Sequence, residues 1–171
     1  PLRRFAKSEI VPSNKDRFLR KETLQGFVHD EASAFFGGLA GNAGLFSTAC
    51  DVARVYQMLL NGGEIDGQRY LSKETCQLFT TETSKISRRG LGFDKPDADD
   101  PKKGNCAPAA PAGVYGHTGF TGTCAWVDPV NELVYVFLSN RIYPDVTNRK
   151  LNQLHIRERI QGAIYDAMKK K

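Results

Sequence analysis

The sequence predicts an α+β fold in which an antiparallel sheet is flanked by helices. Three observations carry that expectation. An apolar stripe at helical spacing runs from Val52 to Leu60. Two strand-like runs, residues 114–128 and 132–139, are joined by a Pro129-Val130-Asn131 turn and read as an antiparallel hairpin. In the last segment Leu151, Leu154, Ile160, Ile164, Ala167 and Met168 follow a period of roughly 3.6 residues. Helices and hairpin together imply helices packed on one sheet.

In chain order, residues 1–36 are polar and weakly periodic, with apolar clusters at Phe18-Leu19 and Phe27-Val28, and read as an extended arm or irregular loops. Residues 37–44 hold four glycines in eight positions, a composition that allows close backbone approach ahead of a helix. Thr48 and Asp51 have the capping-box spacing, with Asp in place of Glu. Val52, Val55, Tyr56, Leu59 and Leu60 form one apolar stripe at i, i+3, i+4, i+7 and i+8, and Asn61-Gly62-Gly63 ends the helix. Ile65-Asp66-Gly67-Gln68 reads as a tight turn. Ser72 caps a shorter helix reaching about Phe79, expected to bury Leu78 and Phe79. Residues 94–113, rich in Pro, Asp, Lys and Ala, read as a surface loop between strands.

Composition narrows the function classes. A chain of 171 residues with 40% hydrophobic and 25% charged positions suffices for one domain, which excludes a disordered tail, a collagen-like repeat and a disulfide-packed miniprotein. Apolar runs are only a few residues long, so no membrane span is expected. Pro1 opens the chain without an initiator Met or a signal-peptide pattern, and the chain is expected to begin inside a longer protein. The net charge of +5 comes from basic ends around an acidic centre. No aromatics alternate with the basic residues, so these ends read as solvated faces and no nucleic-acid partner is expected. Cys50, Cys76, Cys106 and Cys124 form no Cys-x-x-Cys pair and are expected as free, partly buried thiols. His29, His117 and His155 lack metal-ligand spacing, and residues 37–44 lack a phosphate-loop Lys; neither metal nor cofactor is expected.

One constellation remains. His117-Thr118-Gly119 lies on a predicted strand beside Gly113, Gly116 and Gly122, although strand interiors disfavour Gly. Two readings stay open on residue types alone. Either a ligand or another backbone lies flat along an open strand edge, or the strand is merely bulged and the histidine is an ordinary surface residue.

From about Gly26 to Met168 the chain resembles the C-terminal part of the serine β-lactamase and penicillin-binding-protein superfamily, in the branch of class C β-lactamases, DD-carboxypeptidases and esterases. Five segments in family order carry the resemblance. They are residues 44–54, Leu59-Leu60-Asn61-Gly62-Gly63 with Arg69-Tyr70-Leu71-Ser72, the GLGW-like strand Gly90-Leu91-Gly92-Phe93, His117-Thr118-Gly119 in the place of Lys-Thr-Gly, and Leu138-Ser139-Asn140-Arg141 with Tyr143-Pro144. The resemblance implies the C-terminal portion of the β-lactamase/transpeptidase-like fold over residues 37–171, with 1–36 as an N-terminal arm.

That family acylates a serine in a Ser-x-x-Lys motif and uses a Tyr-x-Asn or Ser-x-Asn motif for proton transfer. Neither occurs in this sequence. Both precede the matching region in the family, so the resemblance places the nucleophile upstream and makes this piece inactive by itself. It implies hydrolysis of a β-lactam, a D-Ala-D-Ala peptide or an ester. His117 would stand at the rim of the acyl site, Thr118 would bind the substrate carboxylate, and Gly119 would leave room for substrate along the strand. The Phe120 amide would be one oxyanion donor. Asn140 and Arg141 would lie near the carboxylate end. The implied partners are a β-lactam or peptidoglycan-peptide-like small molecule and the missing N-terminal half of the same domain, in a periplasmic or secreted protein. The alternative is a non-catalytic β-lactamase-like module that binds cell-wall fragments or packs on a fused glycoside hydrolase domain.

Overall fold

A computed structural model describes residues 1–81, 84, 86–100 and 103–169. Its centre is a three-stranded antiparallel meander of β5 (Tyr115–Thr118), β6 (Cys124–Asp128) and β7 (Leu133–Phe137). The run 114–128 is therefore two strands, not one. Gly119–Thr123 folds it back on itself, with Gly119 N–H donating to the Thr123 carbonyl at 2.8 Å and Gly122 at φ +103°. The predicted turn after Asp128 is present. Asp128 closes it by accepting from the amides of Val130 and Asn131 at 2.9 and 3.1 Å.

All five residues of β6 are buried, so both faces of the sheet are covered. Alternation along the strands sorts the two faces. Cys124 and Trp126 join Cys106, Val114 and Tyr135 in the main core, with Phe137 and Ile164 packed against it. Helix α5 (Ile156–Met168) covers this face. Tyr135 Oη donates to the Arg157 carbonyl at 3.1 Å, and Tyr165 Oη to Asp128 at 2.8 Å. Helix α2 (Ala49–Leu60) packs on β6 and β7. An edge-to-face series, Tyr56 to Phe93 to Tyr115, links α2 to the Tyr115 side of the sheet. The fold is α+β, as the sequence predicts.

Local chemistry explains the elements that match expectation. Thr48 Oγ1 accepts from the Asp51 amide at 3.2 Å and donates to the Asp51 carboxylate at 2.9 Å, so the N-cap forms with a side-chain return bond. Strands β3 (Glu64–Ile65) and β4 (Gln68–Arg69) meet at Asp66-Gly67, both at positive φ, the geometry that a two-residue hairpin turn requires. Ser72 caps α3 (Lys73–Thr80) by accepting from the Thr75 amide at 3.1 Å. Cys50 is exposed, and Cys76, Cys106 and Cys124 are buried, all as free thiols.

Other expectations give way. Residues 1–36, expected as an extended arm or irregular loops, also carry regular structure: β1 (Pro12–Lys15) pairs with β2 (Thr23–Gln25), and α1 (Glu31–Phe35) follows. Asp16 closes that hairpin by accepting from the amides of Phe18, Leu19 and Arg20. The Arg20 guanidinium, bonded to Asp16 at 2.8 Å, holds its carboxyl well below the usual range. In α3 the buried residue is Cys76, while Leu78 and Phe79 are exposed, because the face turned toward the body carries Cys76. The terminal helix breaks at His155, whose left-handed φ of +48° separates α4 (Lys150–Gln153) from α5. Its buried face is Arg157, Gln161 and Tyr165; Leu154 and Ile160 point outward. The loop 94–113 is not wholly superficial: Asp94, Cys106 and Ala107 are buried. Gly90–Phe93 is a bend, not a strand, and pairing is confined to the Asp94–Gly116 bridge. Lys170 and Lys171 of the basic tail lie outside the described residues.

Gly116 is the tightest point of the sheet. A Cβ there would stand 2.1 Å from the Ala125 carbonyl oxygen and 2.7 Å from the Trp126 ring. Gly116→Ala should therefore lower stability by about 3 kcal/mol or more, the upper end for overpacking. Urea unfolding measures this, and an unchanged midpoint would refute the contact. Asp94 supplies a second prediction. Burial alone would push its carboxyl up, but hydrogen bonds from Asn105 and Arg88 outweigh that and hold it below the ordinary range. Its stabilisation is thus complete above the unfolded value of about 3.9 and is lost as pH falls through the lower folded value. Asp94→Asn should flatten the acid limb of the stability–pH curve.

Candidate active site

The candidate residues gather around the β5–β6 turn. Gly116 exchanges two backbone bonds with Asp94, 2.7 and 3.0 Å, on the outer edge of β5. By the alternation of an antiparallel strand, Thr118 also faces its backbone groups outward, beyond the reach of that single bridge. His117 and Thr118 side chains consequently leave on opposite faces. The bend after Thr118 leaves the Phe120 amide with no protein partner among the described residues.

The glycines have internal explanations. Gly116 makes room for Trp126, and a Cβ on Gly119 would meet Thr123 Oγ1 at 2.3 Å. At Gly122, φ is +103° and a Cβ would meet Ser139 Oγ at 2.6 Å. Close approach of the protein to itself, rather than of a ligand, accounts for these three positions. Gly113 has open space around it.

His117 is exposed and bonded at both ring nitrogens. Nε2 lies 2.8 Å from Arg89 Nη1, and Nδ1 lies 2.7 Å from the Thr118 carbonyl. A guanidinium only donates, and a carbonyl only accepts. Nε2 is therefore the acceptor and Nδ1 the donor, which defines a neutral imidazole in one tautomer.

Phe120, 59% exposed, touches two further side chains. Its ring stacks on His29 at 5.3 Å with an interplanar angle of 8°. The Arg141 guanidinium lies 4.7 Å from the ring centroid, a cation–π contact. Arg141 also donates to the Val146 and Asn148 carbonyls at 3.3 and 3.5 Å, and its amide donates to Thr121 at 2.8 Å. Burial pushes the His29 imidazole below its ordinary range.

Asn140 has a different setting. Its side-chain amide donates to the Pro12 carbonyl and, at 3.1 Å, to that of Ser13. Its Oδ1 accepts from the Ile142 amide at 3.3 Å. The side chain thus joins the end of β7 to the N-terminal hairpin across 128 positions of sequence.

The structure therefore brings His117, Thr118, Gly119, Phe120 and Arg141 to one end of the sheet, with Asn140 beside them as a strut. Sequence reasoning misses His29 and Arg89. No spacing rule connects either to residue 117; only the Asp94–Gly116 bridge and the folded hairpin bring them there. Burial raises the thiols of Cys106 to about 12 and of Cys124 to about 11, which keeps these two in the unreactive thiol form. Two surface hollows, at residues 61–73 and 145–153, include none of the candidate residues. No group of His, Cys, Asp and Glu among the described residues is arranged to hold a metal.

A family model described as Beta-lactamase matches residues 7–158. A protein of Escherichia coli K12 named "Putative D-alanyl-D-alanine carboxypeptidase" is 37% identical over 135 residues, covering 78% of this chain and 31% of that protein. A protein of the same name from Salmonella agona is 38% identical over 141 residues, again 78% and 31%. The chain thus spans 31% of the length of these curated relatives.

The Asn140 bonds give a prediction of local stability. Asn140→Ala should release the β1–β2 hairpin by about 1–2 kcal/mol, the contribution of the lost hydrogen bonds. Hydrogen exchange should then accelerate in residues 10–28 and leave β6 protected. Uniform acceleration throughout would refute a local role.

Proposed function

The chain belongs to the Beta-lactamase family, and from that premise we propose that its parent protein is a serine hydrolase of the DD-carboxypeptidase and class C β-lactamase type. The observation that carries the reading is the end of β5. There the His117-Thr118-Gly119 strand end, the unpartnered Phe120 amide and the Arg141 guanidinium over the Phe120 ring lie close together in the fold.

In this reading a serine hydroxyl from the part of the domain outside this chain attacks the carbonyl carbon of a β-lactam, a D-Ala-D-Ala peptide or an ester. Its proton passes to a base in that same part. The Phe120 N–H stabilises the oxyanion, a contribution typically worth about 3–4 kcal/mol. The base returns that proton to the departing nitrogen or oxygen as the C–N or C–O bond breaks (in a β-lactam the ring opens and the amine stays tethered). Water, deprotonated by the same base, then attacks the acyl-serine to release the acid and regenerate the serine hydroxyl. Thr118 Oγ1 and Arg141 bind the substrate carboxylate, and Gly119 keeps the strand accessible. Asn140 acts through the hairpin rather than on substrate, because its polar atoms are already engaged.

The rest of the parent protein supplies more than the nucleophile. Phe18, Phe35, Phe36, Leu39, Leu45 and Ile86 are all strongly exposed. We assign this apolar surface to contact with the remainder of the domain, and predict that the 171-residue chain alone does not turn over substrate. No helix of the described residues is long and apolar enough to cross a membrane. A periplasmic or secreted location fits the peptidoglycan-like substrate.

The test is acylation of the full-length protein by a fluorescent penicillin, with intact-mass detection of the adduct. We expect one adduct on a serine outside this segment, and a severalfold or greater loss of turnover in His117→Ala. Muropeptide binding without any acylation or turnover would replace the enzyme reading with that of a binding module.

A further inference from the structure

Arg89 stands where the loop preceding β5 meets the active-site strand, and three contacts fix it there. Gly90 lies so close to the Phe79 and Thr81 carbonyls that a Cβ would be 2.7 and 2.8 Å from them, which sets the direction of the chain beside Arg89. The buried Asp94, four residues after Gly90, is locked to Gly116 through two backbone bonds and to Arg88 Nε at 2.9 Å. Arg89 Nη2 is 3.9 Å from the same carboxylate. Its Nη1 then reaches His117 Nε2 at 2.8 Å.

We propose that Arg89 is a positioning and specificity-determining residue of this site. It holds His117 as the neutral Nδ1–H tautomer and places a permanent positive charge where the imidazole carries none. The inference rests on the acyl-serine reading for its functional meaning, but its structural content stands on the Arg89–His117–Thr118 chain of hydrogen bonds.

The chemistry follows from the donors and acceptors. With Nε2 accepting from Arg89, the ring has no N–H left for substrate, because Nδ1–H is given to the Thr118 carbonyl. A substrate carboxylate approaching the His117 side of the strand end therefore meets the Arg89 guanidinium, whose charge is present at every physiological pH. Arg89 retains N–H groups beyond the one bonded to His117, so it can hold the imidazole and an anion together. The nearby Asp94 carboxylate does not cancel this charge, as Arg88 and Asn105 already bind it, Asn105 at 2.7 Å.

The experiment is long-range 1H–15N NMR on protein labelled at histidine, with His117 assigned by its loss in His117→Gln. At neutral pH the His117 Nε2 should resonate as an unprotonated nitrogen and Nδ1 as a protonated one. Arg89→Ala should abolish this single-tautomer signature, and Arg89→Lys should restore it in part. A wild-type signal showing Nε2–H, or one unmoved by Arg89→Ala, overturns the positioning role. Kinetics on the full-length protein test specificity. Arg89→Ala should lower kcat/KM about tenfold more for a carboxylate-bearing ester than for a carboxyl-free one. An equal loss for both esters overturns the specificity role. If penicillin fails to acylate the wild type, the hydrolase reading falls while the tautomer result still decides the contact.

Discussion

The site depends on how closely β5 and β6 approach at Gly116. Trp126 is the largest fully buried side chain, and an indole of this size dominates the core that contains it. It can lie against its partner strand only where that strand has no Cβ, since one at position 116 would stand 2.7 Å from the ring. Opposing Gly116 to Trp126 sets the register of β5. A one-residue slip would send every side chain to the other face, drive His117 into the core and turn Thr118 away from its present side. The placement of the functional strand is thus a consequence of core packing.

Asp94 extends the same constraint outward. A buried carboxylate is costly to desolvate and contributes little net stability when paired. Here its role is connectivity. Its backbone holds Gly116, while its side chain takes Arg88 at 2.9 Å and Asn105 at 2.7 Å. Three points of the segment before β5, at 88, 94 and 105, are thereby fastened to its outer edge. That edge is closed at Gly116 and open at Thr118, so one bridge both supports the strand and limits where another group can approach it.

The parts legible in the sequence are those determined by neighbours in the chain. Thr48 and Ser72 cap helices through residues three positions on, and Asp66-Gly67 turns a hairpin by its own backbone preference. The parts that were not legible depend on distant partners. Leu78 and Phe79 have the composition of a buried face, yet Cys76 is the residue turned inward in α3. In α5, Gln161 is buried although polar because it accepts from the Ala107 amide at 2.8 Å, and Arg157 lies against the end of β6, donating to Thr123 at 3.3 Å. The β1–β2 hairpin has too little alternation to announce itself and is held by Asn140 from the far end of the chain. His117-Thr118-Gly119 is legible as a site only through family resemblance, because its glycines answer to internal packing.

The two guanidinium groups at this end of the sheet share a design. Arg141 is held by the Phe120 ring and by two backbone carbonyls, and takes part in none of the ion pairs among the described residues. Arg89 is held by a neutral imidazole, with its nearest carboxylate oxygen 3.9 Å away on an Asp94 already bound elsewhere. Neutral partners fix the geometry of a cation without cancelling its charge, whereas a close carboxylate would do both. Arg89 lies within residues 22–140, which carry fourteen acidic and nine basic side chains, whereas Arg141 opens the basic C-terminal stretch. In the proposed site, cations held in this way would draw an anionic substrate toward the strand end. The open Thr118 edge and the free Phe120 amide would then offer it donors, and the register set by Gly116 would determine which of them it meets.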